Sequence, residues 1–404
     1  MANFDIGANL ADPDTYERGF PHDVFRRLRR EAPVYWHARG HEKGGKGFFA
    51  VSKYEDVRYV GRTPAIFSSE PGITIVDQGP QDFEAGQSSM LQMDPPRHAR
   101  YRKLVSGGFT PRRINALEPM IRELVNEIID EVAPRGGCDF VTDVAAELPL
   151  RVIARFLGVP TEERTTLFSA SNRLIGFEDP EYGTTEEDGR AGAIDLAMLA
   201  HRIAEERKAE PRDDIITILQ NAEVDGERLS DLDFIAFFVL LTVAGNETTR
   251  NQTSHTMRLL FEHPGELAKL RDDPSLVPSA IEEALRYSPP VMYFRRTTKS
   301  DAEIRGVKIP KGSFVTVYYP SANRDEDIFP DPDRFDVTRS PNEHLAFGEG
   351  EHFCLGASLA RLQLRAMVGG MLERFPNLRL AGEIKLLRSH FIDGVKHMPV
   401  RWSQ

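Results

Sequence analysis

Cys354 lies in the run Phe347-Gly348-Glu349-Gly350-Glu351-His352-Phe353-Cys354-Leu355-Gly356 and is one of two cysteines in the chain. A free cysteine is most often a small buried hydrophobe, so its surroundings decide its meaning. Gly348 and Gly350 open backbone conformations closed to other residues, which lets the loop bend tightly and approach a flat ligand. Gly356 keeps side-chain bulk away just past the sulfur, and a helix-like run, Ala357 to Met367, follows at once. The positive end of that helix favours a thiolate at Cys354. A thiolate ringed by backbone N–H groups is what a haem iron takes as an anionic axial ligand.

A second chemical cluster is Ala244-Gly245-Asn246-Glu247-Thr248-Thr249. It follows Phe234–Leu241, which is apolar on every face and so predicts a helix buried through the middle of the protein. Ser230-x-x-Asp233 resembles a capping box at the start of that helix, and Pro264 closes it. Its length would be ~45–50 Å at the standard rise. Gly245 is unfavourable in a helix interior by roughly 1 kcal/mol relative to Ala. Thr248 can bond its hydroxyl back to the preceding turn and loosen the ladder. A locally opened groove with an acid beside an alcohol suits dioxygen binding and proton delivery.

Basic and paired charges complete the set. His98 and Arg102, in Asp94-Pro95-Pro96-Arg97-His98-Ala99-Arg100-Tyr101-Arg102-Lys103, project from one helical face. A solvated basic face is the ordinary reading of such a run. Arg97, Arg100, Lys103, Arg112 and Arg113, joined by Arg361 and Arg365, nonetheless stand out in an acidic protein and suit an acidic redox partner. Glu283 and Arg286 are three apart, a spacing that permits pairing on a helix.

The spacing Phe-Gly-x-Gly-x-His-x-Cys-x-Gly resembles the haem-ligand signature of the cytochrome P-450 family, matching at Phe347, Gly348, Gly350, His352, Cys354 and Gly356. The resemblance implies haem b (iron protoporphyrin IX) with Cys354 as proximal ligand, Phe347 near the sulfur, and His352 on a propionate. His98 and Arg102 match the family's His-x-x-x-Arg propionate pair. Arg296 matches a further propionate arginine, although adjacent Arg295 leaves that assignment open by one residue. Ala244, Gly245, Glu247 and Thr248 resemble the oxygen-groove motif, with Glu as an accepted variant of Asp. By that likeness Thr248 orients the oxygen species and Glu247 relays protons. Glu283, Arg286 and Arg334 match a buried structural network.

The implied fold is mainly α with a minor β region, as a single unit over residues 1–404. The implied activity is monooxygenation of an apolar small molecule with O2, using electrons from a ferredoxin and its reductase, because no flavin or nicotinamide domain is present. A peroxide-driven haem-thiolate enzyme competes, but Glu247 and Thr248 weigh against it. A non-catalytic haem-binding sensor is the other alternative. Residues 244–250 and 389–396 look like bacterial members that hydroxylate sterol side chains and methyl-branched lipids, with small terpenoids or aromatics as alternatives. Position relative to the motifs nominates Leu240, Val243, Ala244, Met292, Phe294 and Ile392 for the substrate pocket; pockets are mostly apolar, but so are cores.

The remaining elements must hold these groups in place. The chain's 404 residues could form two or three average domains or one large one, and 40% hydrophobic residues suffice for a substantial core. A formal net charge of −11 speaks against general nucleic-acid binding. Cys138 and Cys354 do not suggest a disulfide framework. Met1–Asp5 shows neither a basic region nor an apolar run, and Phe234–Ala244 falls short of the ~20 residues that span a bilayer, so the expectation is a cytoplasmic protein without a membrane anchor.

A hairpin is expected from Val34–Trp36 and Phe48–Val51 around Gly44, Gly45 and Gly47. Thr110-Pro111 should start one helix carrying the stripe Ile114, Leu117, Ile121, Leu124, Ile128 and Val132, and another should run from about 141 to 157. Strands are expected at 304–309 and 313–318, a long loop at 71–92, and an acidic break at 177–190. In the resembling family those last two segments cover the substrate.

Overall fold

The computed structural model describes residues 5–38, 46–76, 86–175, 178–181, 185–212, 214–224 and 226–403. Gly44 and Gly45 of the expected turn, residues 77–85 of the long loop, and residues 177 and 182–184 of the acidic break lie outside the described residues.

The fold is organised around one 32-residue helix, Asp231–Glu262. Ser230 caps it as its sequence position suggests, its Oγ accepting from the Asp233 N–H at 3.1 Å. By length and composition alone this helix could cross a membrane, which corrects the shorter span inferred from Phe234–Ala244. It is instead a core helix. It packs against the helices Glu147–Phe156, Arg164–Ile175, Glu186–Ala209, Val277–Tyr287 and Ala357–Arg374. Phe234, Phe237 and Phe238 enter one hydrophobic cluster, while Met257, Leu259 and Leu260 enter another. The segment between them crosses from one core to the other. Thr248 does back-bond, donating to the Ala244 carbonyl at 2.5 Å, yet the helix stays continuous and no opened turn forms.

The expected helix after Thr110 is divided into Pro111–Ala116 and Glu118–Val132. Pro119 is the reason: it has no N–H to give, and its ring clashes with the carbonyl four residues back. The stripe Ile121, Leu124, Ile128 and Val132 is buried as its spacing requires. The next helix begins as a π-helical turn, Val141–Ala145, before Glu147–Phe156. The acidic break is shorter than expected, because Thr185 accepts from the Asp188 N–H and caps a helix that begins at Glu186.

The β region is a five-stranded sheet in the order Val34–His37, Phe48–Val51, Phe314–Tyr318, Tyr293–Thr298, Phe67–Ser68. The strand expected over 304–309 is a hairpin of Ala302–Ile304 with Val307–Ile309. Arg305 and Gly306 both take positive φ (51° and 76°), the two-residue turn that matches strand twist.

Candidate functional site

The Cys354 loop leads into the helix Ala357–Arg374. The Cys354 N–H donates to the Phe347 carbonyl at 2.9 Å, closing the loop on itself. Gly348 and Gly350 have φ of 76° and 74°, which side-chain-bearing residues rarely adopt. A Cβ on Gly350 would also collide with the Gly61 carbonyl of the helix Tyr54–Arg62. Gly356 has an ordinary backbone, and a Cβ there would meet no protein atom within 4 Å; the space beside it is the cavity it lines. Arg361 lies over the Phe347 ring at 4.4 Å and is held by both oxygens of Glu282 at 2.8 Å.

Burial pushes the Cys354 thiol up, and the Gly356 N–H, Arg102 and Arg361 offset only part of this. The helix start therefore does not make a thiolate in the protein alone, contrary to the expectation from sequence. A bound metal cation would, since a coordinating thiol is deprotonated outright.

The cavity beside Cys354 encloses about 1700 Å³, counting its open mouth. One part of its wall is basic: His98, Arg102, Arg296 and His352. His98 and Arg102 come from one face of the helix Arg97–Ser106. The His98 and His352 rings are 4.1 Å apart, and His352 Nε2 is 3.1 Å from the Met93 carbonyl and 3.2 Å from Ser69 Oγ. Arg102 Nη1 donates to the Glu351 carbonyl at 3.2 Å. Strand alternation resolves the choice between neighbouring arginines. Phe294 and Arg296 face the cavity, whereas Arg295 turns away, donating to the Gly72 and Pro71 carbonyls and stacking on Phe314.

Neither Arg102 nor Arg296 has an ion pair among the described residues, and His98 Nε2 is buried without a partner there. Burial lowers the pKa of both guanidinium groups; burial followed by the Arg102 charge lowers His98 to about 4. The neighbouring Asp94 carboxylate is taken by Lys299 at 2.9 Å and by the Ser69 N–H at 2.9 Å. Buried charges need partners, so this wall fits the carboxylates of an anionic ligand. A lone thiol, a cradle left open at Gly356 and unbalanced basic groups together fit a haem.

Much of the remaining lining is apolar. Leu240, Ala244 and Thr248 follow one another on one face of the central helix, and Phe294 and Val291 line the same cavity. Val243, Met292 and Ile392 lie off the wall. Val243 packs into the cluster beneath the central helix, Met292 into the one around Tyr16 and Phe25, and buried Ile392 forms a backbone bridge with Val291.

Glu247 also lies off the wall, about a quarter-turn from Thr248 on the helix. It is buried, 1% exposed, and its Oε2 pairs with Arg250 Nη2 at 2.5 Å. Burial raises its pKa and Arg250 pulls it back. Gln252, one turn beyond Thr248, lines the cavity with both amide atoms buried and unpartnered among the described residues. Sequence reading missed it, although its spacing from Thr248 carries the signal.

The buried charge network differs from expectation in one member. Arg286 grips both oxygens of Glu283 at 2.8 Å, with both side chains fully buried. The third charge is Arg339, whose Nε lies 3.1 Å from Glu283 Oε2. Arg334 supplies only its carbonyl to Arg286, and its side chain is exposed beside Asp336.

Of the basic patch, Arg97 pairs with Asp233 and Arg100 with Glu227. Lys103, Arg112, Arg113 and Arg365 are exposed. Phe353, next to the cysteine, is 43% exposed.

A cytochrome P450 family model matches residues 193–380. The chain is 41% identical over 408 residues to a steroid C26-monooxygenase of Rhodococcus jostii (strain RHA1), covering 98% of this chain and 85% of that one. It is 41% identical over 388 residues to a methyl-branched lipid omega-hydroxylase of Mycobacterium tuberculosis (strain ATCC 25618 / H37Rv), covering 94% and 90%. Among solved structures, a Mycobacterium marinum cytochrome P450 in complex with pseudoionone superposes with a TM-score of 0.88 at 40% identity over 94% of both chains.

Proposed function

Because the chain belongs to the cytochrome P450 family and is a monooxygenase that uses a haem, we propose that Cys354 is the axial ligand of haem b and that His98, Arg102, Arg296 and His352 hold its propionates. The observation that carries this reading is the convergence of one thiol and four basic side chains on a single, otherwise largely apolar cavity. Bound haem supplies dioxygen activation, one oxygen atom entering a C–H bond of the substrate and the other leaving as water.

The chain's own residues do the rest. Gly348 and Gly356 leave space at the sulfur, while Phe347, backed by Arg361, covers it. Leu240, Ala244, Phe294 and Val291 exclude water and orient a hydrocarbon group next to Thr248. Thr248 Oγ1 can accept one proton and donate another, and Glu247 is the acid nearest it in sequence. We assign Thr248 to hydrogen-bonding at the reacting oxygen and Glu247 to proton supply.

The substrate class is an apolar molecule, oxidised on a sterol side chain, a methyl-branched lipid or a terpenoid. The named activities of the relatives support this, as do the apolar lining residues Leu240, Ala244, Val291 and Phe294. Reducing equivalents come from a redox partner, which we take to be a ferredoxin served by its reductase. The two free cysteines suit a reducing cytoplasm. Residues 1–404 act as one unit, with the cavity bounded by both the helical and the sheet regions.

The test is a spectral binding screen of steroids, methyl-branched fatty acids and terpenoids, followed by product identification with ferredoxin, reductase and NADH. Binding and hydroxylation of at least one class support the reading. Spectral binding with no turnover from NADH or from peroxide would instead indicate a sensor.

A further inference from the structure

His397, outside the cavity, stands between two carboxylates. Its Nδ1 is 2.6 Å from Asp139 Oδ2 and its Nε2 is 2.6 Å from Glu181 Oε1. A neutral imidazole carries one N–H, so only the cationic ring can donate at both ends. Asp139 is fixed to the body of the protein. It ends the strand Gly137–Asp139, and its Oδ1 accepts from the Val141 and Met398 N–H groups at 3.0 and 3.1 Å. Glu181 is exposed and ends the short segment Glu178–Glu181. When the ring loses its proton one of the two contacts must break, and Glu181 is the side that can move away.

That segment is fastened along the strand pair Lys385–Leu386 and Val395–His397 and the turn between them. Lys396 Nζ reaches Asp179 Oδ2 at 3.0 Å and Glu181 Oε2 at 3.1 Å. The Arg388 N–H donates to Asp179 Oδ2 at 3.0 Å, and its Nη1 donates to the Glu178 carbonyl at 2.7 Å. Glu178 Oε2 accepts from Ser389 Oγ at 3.0 Å and from the His390 N–H at 3.2 Å. The turn so anchored backs the cavity. The Met292 N–H donates to the Phe391 carbonyl at 3.0 Å, and the Asp393 N–H donates to the Pro290 carbonyl at 2.8 Å. The Phe391 ring lies 5.7 Å from that of Phe294. Pro290, Val291 and Phe294 all line the cavity.

We propose that cationic His397 clasps Glu178–Glu181 to the body of the protein, and that loss of its proton loosens the turn 389–393 behind the cavity and speeds exchange of an apolar ligand. The proposal rests on the reading of this cavity as the substrate site. The Glu181 hydrogen bond, opposed by burial and joined by that of Asp139, raises the His397 pKa. The other charges around the ring are Lys396 on its own strand, exposed Lys385 across the strand pair, and Asp143 behind Asp139, itself paired with Arg135. Glu17, Asp179 and Arg388 share a shallow pocket with Glu181 and Lys396, and Asp14 holds Arg388 at 2.6 Å. A raised histidine pKa means that the clasp is complete near the ordinary value of about pH 6.5 and is lost as pH rises through the raised one. Against burial, Asp179 and Glu181 raise the Lys396 pKa, so Lys396 stays charged and the segment is loosened rather than released.

The test compares the haem-loaded full chain with His397→Gln and Glu181→Gln from about pH 6.5 into the mildly alkaline range, with haem content and Tm as folding controls. The probe is phenylimidazole, an apolar molecule whose nitrogen ligates haem iron. Its dissociation after dilution is followed at the Soret band. Backbone amide protection over residues 389–395, corrected for intrinsic exchange, reports the turn with no ligand present. In the unmodified chain dissociation should speed up, and protection fall, by about two- to fivefold as pH rises, the scale of a partly exposed ion pair. His397→Gln donates at one end only, so it should show the faster, less protected limit at every pH. In Glu181→Gln the new amide can donate to the neutral ring, so the pH step should disappear.

A step that persists in His397→Gln, or no step in the unmodified chain, overturns the proposal. A step in amide protection without one in probe dissociation overturns it too, because the clasp then does not reach the cavity. If both steps appear as expected but no steroid, methyl-branched fatty acid or terpenoid binds, the clasp is supported and it is the substrate reading that fails.

Discussion

His98 and His352 face each other across 4.1 Å, one from the helix Arg97–Ser106 and the other from the cysteine loop, with Arg296 completing the wall from a sheet strand. Three separate elements thus bring basic groups to one place, at a desolvation cost that their protein neighbours do not offset. An anionic cofactor edge, as proposed, would offset it.

Arg102→Leu should therefore weaken haem retention by about tenfold or more, the worth of one hydrogen bond to a charged group. Haem transfer to apomyoglobin measures it. Arg295→Leu, whose side chain points away from the cavity, serves as the contrast and should change retention much less. Equal losses in the two variants would remove the distinction drawn between the neighbouring arginines.

Stability distinguishes Arg339 from Arg334. Arg339→Met strips a partner from a fully buried carboxylate and should cost about 3 kcal/mol or more. Arg334→Ala removes an exposed side chain and should stay within about 0.5 kcal/mol. Urea unfolding of both variants decides the matter, and a larger loss at Arg334 would restore the sequence-based assignment.

How much of this was legible in the sequence follows from the range of each signal. The cysteine loop was readable because its glycines stand where positive φ or close approach demands them, at Gly348 and Gly350. The cap at Ser230 is a local side-chain-to-backbone bond and was equally readable. Arg296 needed the strand's phase, which one residue of slip reverses. Arg339 reaches Glu283 only through tertiary folding and carries no motif, whereas Arg334 sits in a recognisable one and points outward. Glu247 stands in a recognisable motif, but its direction was not legible, because its carboxyl is held by Arg250, which also bonds Asn172 in a distant segment. The break at Pro119 was legible and was overridden by an unbroken apolar stripe.

Electron delivery should depend on Arg112 and Arg113, which are exposed and have no ion pair among the described residues. Arg97 and Arg100 are already engaged by internal acids. Reduction by an acidic ferredoxin should slow as salt rises, since screening shortens from about 10 Å at 0.1 M to about 3 Å at 1 M. Replacing both arginines by Glu should slow it further at low salt. Stopped-flow reduction across a salt series checks this, and a rate indifferent to both changes would place docking elsewhere.

Thr248→Ala removes one hydroxyl and one methyl from the cavity wall, so haem content and substrate affinity should change little. Product per NADH should fall, with the missing electrons recovered as hydrogen peroxide. Measuring NADH, peroxide and product in one reaction gives the balance. An unchanged ratio would deny Thr248 its role.

The most direct test of the whole account is the reduced carbon-monoxide spectrum of Cys354→Ser beside that of the unmodified protein. Cys354 is the one cysteine on the cavity wall; Cys138 lies in a separate strand, where burial pushes its thiol up to about 12. The unmodified protein should show the far-red-shifted Soret band of thiolate ligation, and Cys354→Ser should lose it. Persistence of that band in Cys354→Ser would mean that another group holds the iron and would contradict the account at its centre.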